Sequence, residues 1–171
     1  MIGAAVLGAA TLIGLAGYFA ILDDDDDDGG RAALVRGMGF AKVNLQQGLA
    51  VSEQAGQPIS GKFEIDRGKF QLSVYTSKDG KFSEVLVNYS SGNVANVEPI
   101  TKDEDLAAAQ SQHAAMIKAK TSLKEAVEKA TGEAAGFRAL HVIPNLRDGR
   151  AVASVLLWKG EEFKIINQGL E

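Results

Sequence analysis

The closest clustering of ionisable side chains in the sequence is a run of six consecutive aspartates. Carboxylate oxygens are ligands that calcium and other hard cations prefer, so one interpretation is a weak cation site. Calcium loops space their acids around a turn glycine, whereas this run is unbroken, and adjacent like charges keep a chain extended and hydrated. The sequence therefore favours a solvated spacer, with cation binding as the alternative. The six carboxylates are Asp23, Asp24, Asp25, Asp26, Asp27 and Asp28.

The two histidines of the chain, His113 and His141, are the other metal-ligand candidates, because two imidazoles and one carboxylate are able to hold a metal ion. Neither histidine has a second one at His-x-His or i, i+4 spacing. The sequence thus predicts packed or surface imidazoles and no metal centre. It also contains neither of the glycine-rich loops that hold nucleotide phosphates, so no cofactor is predicted.

Activated nucleophiles are scarce as well. The chain has no cysteine, which excludes a thiol nucleophile, a thiolate zinc site and a disulfide scaffold. No serine stands in a G-x-S-x-G or S-x-x-K motif. A pair of carboxylates of the glycosidase kind stays open, because its separation depends on the fold. The sequence therefore predicts that the protein is not an enzyme.

The charge of the chain is unevenly distributed. Its 171 residues carry 18 basic and 22 acidic side chains, a net charge of −4. Setting aside the six aspartates leaves 16 acidic groups against 18 basic ones, so the rest of the chain is nearly neutral. Nucleic-acid binding needs clustered basic residues, and no nucleic-acid partner is predicted.

Residues 1–22 are all apolar or small and contain no charged side chain. As a helix they extend about 33 Å, enough to cross a bilayer core. No basic residue precedes the run and Tyr18 stands at −3 of the one plausible cleavage site, so an uncleaved signal anchor is favoured over a cleaved signal peptide. Small residues recur at four-residue spacing, as Ala4 with Gly8 and Ala10 with Gly14. Such pairs favour close packing with a neighbouring membrane helix, although any span rich in alanine and glycine contains them.

Beyond residue 42 the hydrophobic pattern predicts a helix followed by antiparallel strands. Asn44 and Gln47 form a capping box at the start of the helix. From Lys62 the apolar residues recur at every second position, and turn signals such as Asp79-Gly80 separate the runs. A short strand over residues 93–97 closes the unit.

The same order returns in the second half of the chain. A second capping box at Ser122 and Glu125 opens a helix, and strands follow it. Residues 68–74 align without a gap with residues 149–155, so an internal duplication is the simplest explanation. Tyr75 and Trp158 end corresponding strands and are candidate partner-binding residues, since aromatic side chains concentrate in interface cores; the alternative is packing within the sheet.

A third helix is predicted between the two units, over residues 102–120. Thr101 and Glu104 have the spacing of a capping box. The apolar stripe of this helix would contain His113 and Ile117. No proline separates it from the next helix, so the two are expected to be continuous through a bend.

Two strings carry a resemblance to a known family: N-L-Q-Q-G-L-A at 44–50 and V-L-V-N-Y-S-S-G-N-V at 85–94. Together with the paired strands they resemble the PepSY domain family, whose pattern is a capped helix, antiparallel strands and a closing V-x-V-D-A-x-T-G-x-V. The match covers residues 43–98, with a more degenerate second copy over 122–171. Asn88 stands where the family usually has aspartate, and the second copy lacks the final strand.

The resemblance implies a small α+β domain in which one helix packs on an antiparallel sheet. Members of the family are mostly secreted or membrane-anchored, face away from the cytoplasm and act by binding proteins, including inhibition of peptidases. They have no catalytic residues to transfer to this chain. The tandem plan is also similar to that of proteinaceous β-lactamase inhibitors, as architecture only.

These observations predict an α+β fold with a transmembrane helix (1–22), an acidic linker (23–37) and two PepSY-like helix-plus-sheet units (38–100 and 101–171). The expected protein is a single-pass inner-membrane protein whose soluble domain lies in the periplasm and binds membrane-protein subunits or a peptidase. Cation binding by the aspartate run is the alternative function. Basic residues after the anchor favour the opposite orientation by the positive-inside rule, so charge alone leaves the topology open.

Overall fold

The computed structural model describes residues 28–171 as four helices and one seven-stranded antiparallel sheet. The helices are α1 (Asp28–Phe40), α2 (Leu45–Ser52), α3 (Asp103–Lys118) and α4 (Leu123–Glu133). The strands are β1 (Gln57–Asp66), β2 (Lys69–Lys78), β3 (Lys81–Val87), β4 (Val94–Pro99), β5 (Arg138–Arg147), β6 (Arg150–Lys159) and β7 (Glu162–Gly169). The predicted α+β class is confirmed.

The predicted membrane anchor over residues 1–22, with Gly8 and Gly14, lies outside the described residues. The same is true of residues 23–27 of the aspartate run. Within residues 28–171, no helix has both the length and the apolar character needed to cross a bilayer.

The sheet repeats itself with a shift of 81 residues, which takes the start of β1 at Gln57 onto the start of β5 at Arg138. The same shift takes β2 onto β6 and the start of β3 onto the start of β7. Even the irregularities correspond: the register of β1 shifts between Pro58 and Ser60, and that of β5 between Ala139 and His141. Each half therefore contributes the same hairpin and following strand to the sheet.

The strand order is β4-β3-β2-β1-β5-β6-β7, so the two halves meet where β1 pairs with β5. We call this pairing the seam. Its ladder contains Gly61 opposite Val142 and Lys62 opposite His141. Because the shift of 81 residues carries position 61 onto 142, the first pair joins equivalent positions, and a local two-fold axis passes through it.

Helices α2 and α4 begin as the sequence predicted. The Asn44 side chain accepts a hydrogen bond from the Gln47 amide, and the Ser122 side chain accepts one from the Glu125 amide. Each glutamine or glutamate reaches back to the cap residue, which completes both capping boxes. On the sheet below α2, a side chain at Gly61 would crowd the buried leucines of that helix, since an added Cβ would lie 3.2–3.3 Å from them.

Helix α3 differs from its prediction. Its N-cap is Lys102, which makes no side-chain cap bond, so the expected capping box at Thr101 is wrong. The helix ends at Lys118 instead of continuing into α4. Ile117 was expected on the buried stripe but is 69% exposed, while the neighbouring Met116 is buried. The buried face of α3 also contains the polar residues Asp105 and Gln112. They face a polar side of the sheet, which the alternation of apolar residues in the strands does not reveal.

Helix α1 overlaps the linker predicted over residues 23–37. Leu34 and Met38 lie one turn apart and are both buried in the core, which explains why the segment is helical. The Arg138 guanidinium donates hydrogen bonds to the carbonyls of Met38 (2.9 Å) and Ala41 (3.2 Å). These carbonyls belong to the end of α1 and its exit, where intrahelical donors are lacking. Arg138 therefore ties α1 to the start of β5.

Gly37 offers a test of how closely α1 packs. A Cβ at this position would lie 2.1 Å from Cδ2 of Phe70, so Gly37→Ala forces the ring or the helix to move. We expect the free energy of unfolding to fall by about 1–3 kcal/mol. The matched control is Gly39→Ala in the same helix, where nothing lies within 4 Å of the new Cβ. It should raise the free energy of unfolding by about 0.5–1 kcal/mol. Chemical unfolding of the full chain measures both, and equal effects would contradict this packing.

Candidate functional site

The two faces of the sheet have different character. Val74 lies on the face that α2 covers, near Gly61, and we call this the inner face. Tyr75 is the next residue of β2 and points to the opposite, outer face. Helix α3 lies over the outer face, since the Ser60 hydroxyl donates to Gln112 Oε1 at 2.7 Å. The outer face is therefore partly buried instead of facing solvent.

A cluster of ionisable and polar side chains lies on the outer face beside the seam, and we call it the seam cluster. Lys62 Nζ is 2.6 Å from Glu64 Oε2, and the two side chains are only 5% and 11% exposed. The Ser73 hydroxyl donates to Glu64 Oε1 at 2.7 Å. The members are Lys62, Glu64, Ser73, Tyr75, Glu84 and His141, contributed by β1, β2, β3 and β5.

Glu84 is the most perturbed acid of the cluster. Burial disfavours its charged form and raises the pKa of its carboxyl from 4.5 to about 7, against the stabilising charge of Lys62. The Tyr75 hydroxyl lies 3.5 Å from Glu84 Oε1. Burial, together with the charges of Glu64, Glu84 and Asp105, raises the pKa of Tyr75 well above its usual value. A proton on Glu84 therefore stabilises the folded state near neutral pH.

His141 is held in its neutral form. Its Nε2 lies 2.9 Å from the Phe63 carbonyl oxygen, and because a carbonyl only accepts, Nε2 must be the protonated nitrogen. Burial first, and then the charge of Lys62, lower the pKa of His141 to about 4. The hydrogen bond joins β5 to β1, so this imidazole contributes to the seam.

The two histidines do not act together. His113 packs edge-on against Phe82, with ring centroids 5.7 Å apart, while His141 binds the backbone of β1. Across residues 28–171 there is no group of three histidine, cysteine or acidic side chains arranged to hold a metal ion. The aspartate run, apart from its last residue, lies outside the described residues and stays a prediction.

The second half of the sheet has a related polar group at equivalent positions. Ser154 is equivalent to Ser73, and Asn145 is equivalent to Glu64, by the same shift of 81 residues. Ser154 Oγ donates to Asn167 Oδ1 at 2.8 Å and accepts from Arg147 at 3.1 Å. In both halves, therefore, the hydroxyl of a serine on the outer face hydrogen-bonds to a side chain of a neighbouring strand.

These polar groups are arranged to satisfy each other. Lys62 and Glu64 pair directly, Ser73 binds Glu64, and His141 binds the backbone. The arrangement offers the chemistry of a buried network, which fixes strand positions and makes folding depend on pH. Sequence reasoning missed it, because the pattern around Phe63 indicated one buried face and gave no sign that α3 would bury the other.

The two aromatic residues expected to bind a partner lie in different surroundings. Tyr75 is 1% exposed and belongs to the seam cluster, so it offers no ring surface to a partner in this fold. Trp158 is half-buried at the end of β6, and its indole N–H donates to the Gly160 carbonyl at 2.6 Å. The expectation that they end corresponding strands is wrong, because β2 continues beyond Tyr75 to Lys78 and the shift of 81 residues takes Tyr75 onto Leu156 instead of Trp158.

Trp158 belongs to a half-buried apolar group that we call the aromatic strip, formed by Trp158, Phe163 and Ile165. Phe163 of β7 lies directly opposite Trp158, and Ile165 lies two residues further on the same face. The Arg31 guanidinium of α1 stacks over the Phe163 ring, 4.3 Å from its centroid. The strip crosses from β6 to β7, and β7 is the last strand at this end of the sheet.

Comparison of the chain with protein-family models, with curated protein sequences and with solved structures found no match.

Replacing Glu84 tests the electrostatics of the seam cluster. Between pH 4.5 and 7, the unfolded chain has lost the Glu84 proton while the folded chain keeps it, so this group lowers stability as pH rises. His141 acts in the opposite direction between pH 4 and 6.5, because only the unfolded chain protonates it there. Glu84→Gln removes the effect of Glu84 and leaves that of His141. The free energy of unfolding of the variant, relative to wild type, should therefore rise by on the order of 2–3 kcal/mol between pH 4.5 and 7.5.

The measurement is the free energy of unfolding of the full chain at several pH values. The matched control is Glu98→Gln, because Glu98 lies opposite Glu84 on β4 but is only partly buried. It should change the pH profile much less than Glu84→Gln does, because the charge of Glu98 is the smallest of the causes that raise the pKa of Glu84. Parallel profiles for wild type and Glu84→Gln would contradict the account of Glu84.

Proposed function

We propose that this protein is a non-enzymatic, membrane-anchored module whose α+β domain faces the periplasm and binds a partner protein through its sheet. The observation that carries the proposal is the aromatic strip beside the outer edge of β7. Protein-binding surfaces are enriched in aromatic side chains, and the backbone N–H and C=O groups at the edge of a sheet are able to pair with another chain. The half-buried rings of Trp158 and Phe163 supply apolar area that a partner would cover.

The position of α1 supports a partner within the membrane. Arg31 lies within the first turn of this helix and stacks on Phe163, so the chain leaves the domain next to the aromatic strip. In the proposed arrangement the anchor of residues 1–22 would therefore enter the bilayer on the side of the strip. This favours the role of an accessory or stabilising subunit over that of a peptidase inhibitor. It also fits the two PepSY-like units that the sequence predicts.

Purification from native membranes tests the proposed function. In mild detergent the full chain should co-purify with other membrane-protein subunits in a fixed ratio. Trp158→Ala should reduce the affinity for the partner at least tenfold, because truncating an interface tryptophan at a hot spot costs about 2 kcal/mol or more. Phe40→Ala is the matched control, since Phe40 is 74% exposed and lies outside the strip. A chain that purifies alone would overturn the proposal.

Labelling of a single cysteine tests the topology. The chain has no natural cysteine, so Lys129→Cys on the exposed side of α4 introduces one thiol without removing any other. A membrane-impermeant maleimide should label this thiol in cells whose outer membrane is permeabilised while the inner membrane is intact. Labelling only after the inner membrane is broken would contradict the periplasmic location.

A further inference from the structure

We propose that the outer edge of β7 accepts an extended segment of the partner protein as an eighth, antiparallel strand. The inference rests on the proposed function and specifies how the partner binds. It starts from the repeat: β7 is the equivalent of β3, and the outer edge of β3 is occupied by β4. Within residues 28–171, β7 pairs only with β6. The first half of the chain is thus a template for what the second half would bind.

The template identifies which backbone groups would receive the strand. In β3 the Phe82 carbonyl accepts from the Ile100 amide at 3.0 Å, so Phe82 directs its backbone groups away from β2. Alternate residues of an antiparallel strand share this direction, so Glu84 and Leu86 also direct their backbone groups away from β2. The residues of β7 equivalent to these three are Phe163, Ile165 and Asn167.

The other end of β7 leads to the same assignment. The Leu170 amide donates to the Ala151 carbonyl of β6 at 2.9 Å, so residues an even number of positions from Leu170 face β6. Phe163, Ile165 and Asn167 lie at odd positions and face outward. Beyond them the Leu170 carbonyl accepts from the amides of Lys120 and Thr121, which closes the edge. The open stretch is about as long as the segment of β3 that β4 covers.

The side chains of β7 define the chemistry of the incoming strand. Ile165 of the aromatic strip stands where β3 has Glu84, whose neighbour on β4 is Glu98. Ile166 stands where β3 has Val85, whose neighbour is Val97. A strand on β7 therefore needs apolar residues at two consecutive positions, one for each face of the sheet. An extended, largely apolar segment of another polypeptide fits this requirement.

A second copy of this chain fits less well. Its β4, in the register of the template, would set the Glu98 carboxylate against Ile165. A symmetric pairing of β7 with β7 that sets Ile165 against itself would set Lys164 against Ile166. Both arrangements set a charged side chain opposite an isoleucine with no opposite charge beside it, and any burial of that charge is costly.

The first test supplies the strand in the same molecule. A copy of residues 88–100 with the position of Glu98 changed to valine is appended after Glu171, so that it can fold back as β4 does in the first half. We expect the amides of Phe163, Ile165 and Asn167 to exchange hydrogen at least tenfold more slowly than in the unextended chain. Unchanged exchange would overturn the proposal. So would slow exchange of these amides in the purified, unextended monomer, because the edge would already be covered.

The second test asks whether the natural partner uses this edge. Ile165→Pro removes an outward N–H without removing a hydrogen bond to β6, and prolines are tolerated on strand edges. Ile165→Val is the matched control, because it keeps the N–H and a β-branched side chain. In the native-membrane purification, Ile165→Pro and the extended chain should each lose the partner at least tenfold, while Ile165→Val keeps it.

The outcomes separate the inference from the proposed function. If wild type brings down its partner and both edge variants do as well, the partner binds elsewhere and only the inference is overturned. If wild type purifies alone, the proposed function fails. If wild type is a dimer that Ile165→Pro converts to a monomer, the edge binds a second copy, which overturns the proposed occupant. Should Ile165→Pro fail to fold, the extended chain decides the question.

Discussion

The structure depends on the pairing of β1 with β5, where two similar halves become one sheet. The strand ladder at this seam is short, with Gly61 opposite Val142 and Lys62 opposite His141. Other contacts also join the halves: the His141 side chain donates a hydrogen bond to the Phe63 carbonyl, and α2 packs against α4 on the inner face. The absence of a side chain at Gly61 lets α2 approach the sheet at the point where the local two-fold axis passes.

Burial of the outer face follows from the same arrangement. Helix α3 lies over this face of the sheet, where Lys62 and Glu84 are buried and the Glu64 side chain is only 11% exposed. Their polar atoms find partners within the seam cluster: Lys62 pairs with Glu64, and Glu84 lies beside the Tyr75 hydroxyl. A buried ion pair contributes little net stability compared with apolar side chains, whereas loss of one partner is costly. The seam cluster thus makes the relative position of the strands specific and couples it to protonation. The aromatic strip lies on the same face of the sheet, over β6 and β7, and is half-buried.

Local signals in the sequence predicted much of the fold and little of the site. The capping boxes at Asn44 and Ser122, the alternation of apolar residues along strands and the X-Gly turns depend on neighbours in the chain, and the structure contains them. The start of α1, the break after α3 and the burial of Tyr75 depend on contacts between distant segments. Arg138, for example, binds the end of α1 across about a hundred residues of sequence. A single sequence does not encode such contacts in its periodicity.

The repeat also explains why the two ends of one sheet differ in what they offer a partner. The first half covers its outer strand with β4, and the second half leaves β7 beside a group of aromatic and aliphatic side chains. The central claim is that both halves form one cooperative sheet through the seam. Native-state hydrogen exchange of the full chain tests it most directly: the amides of β1 and β5 should open with the same free energy, equal to that of global unfolding. Separate opening free energies for the two halves would contradict the claim.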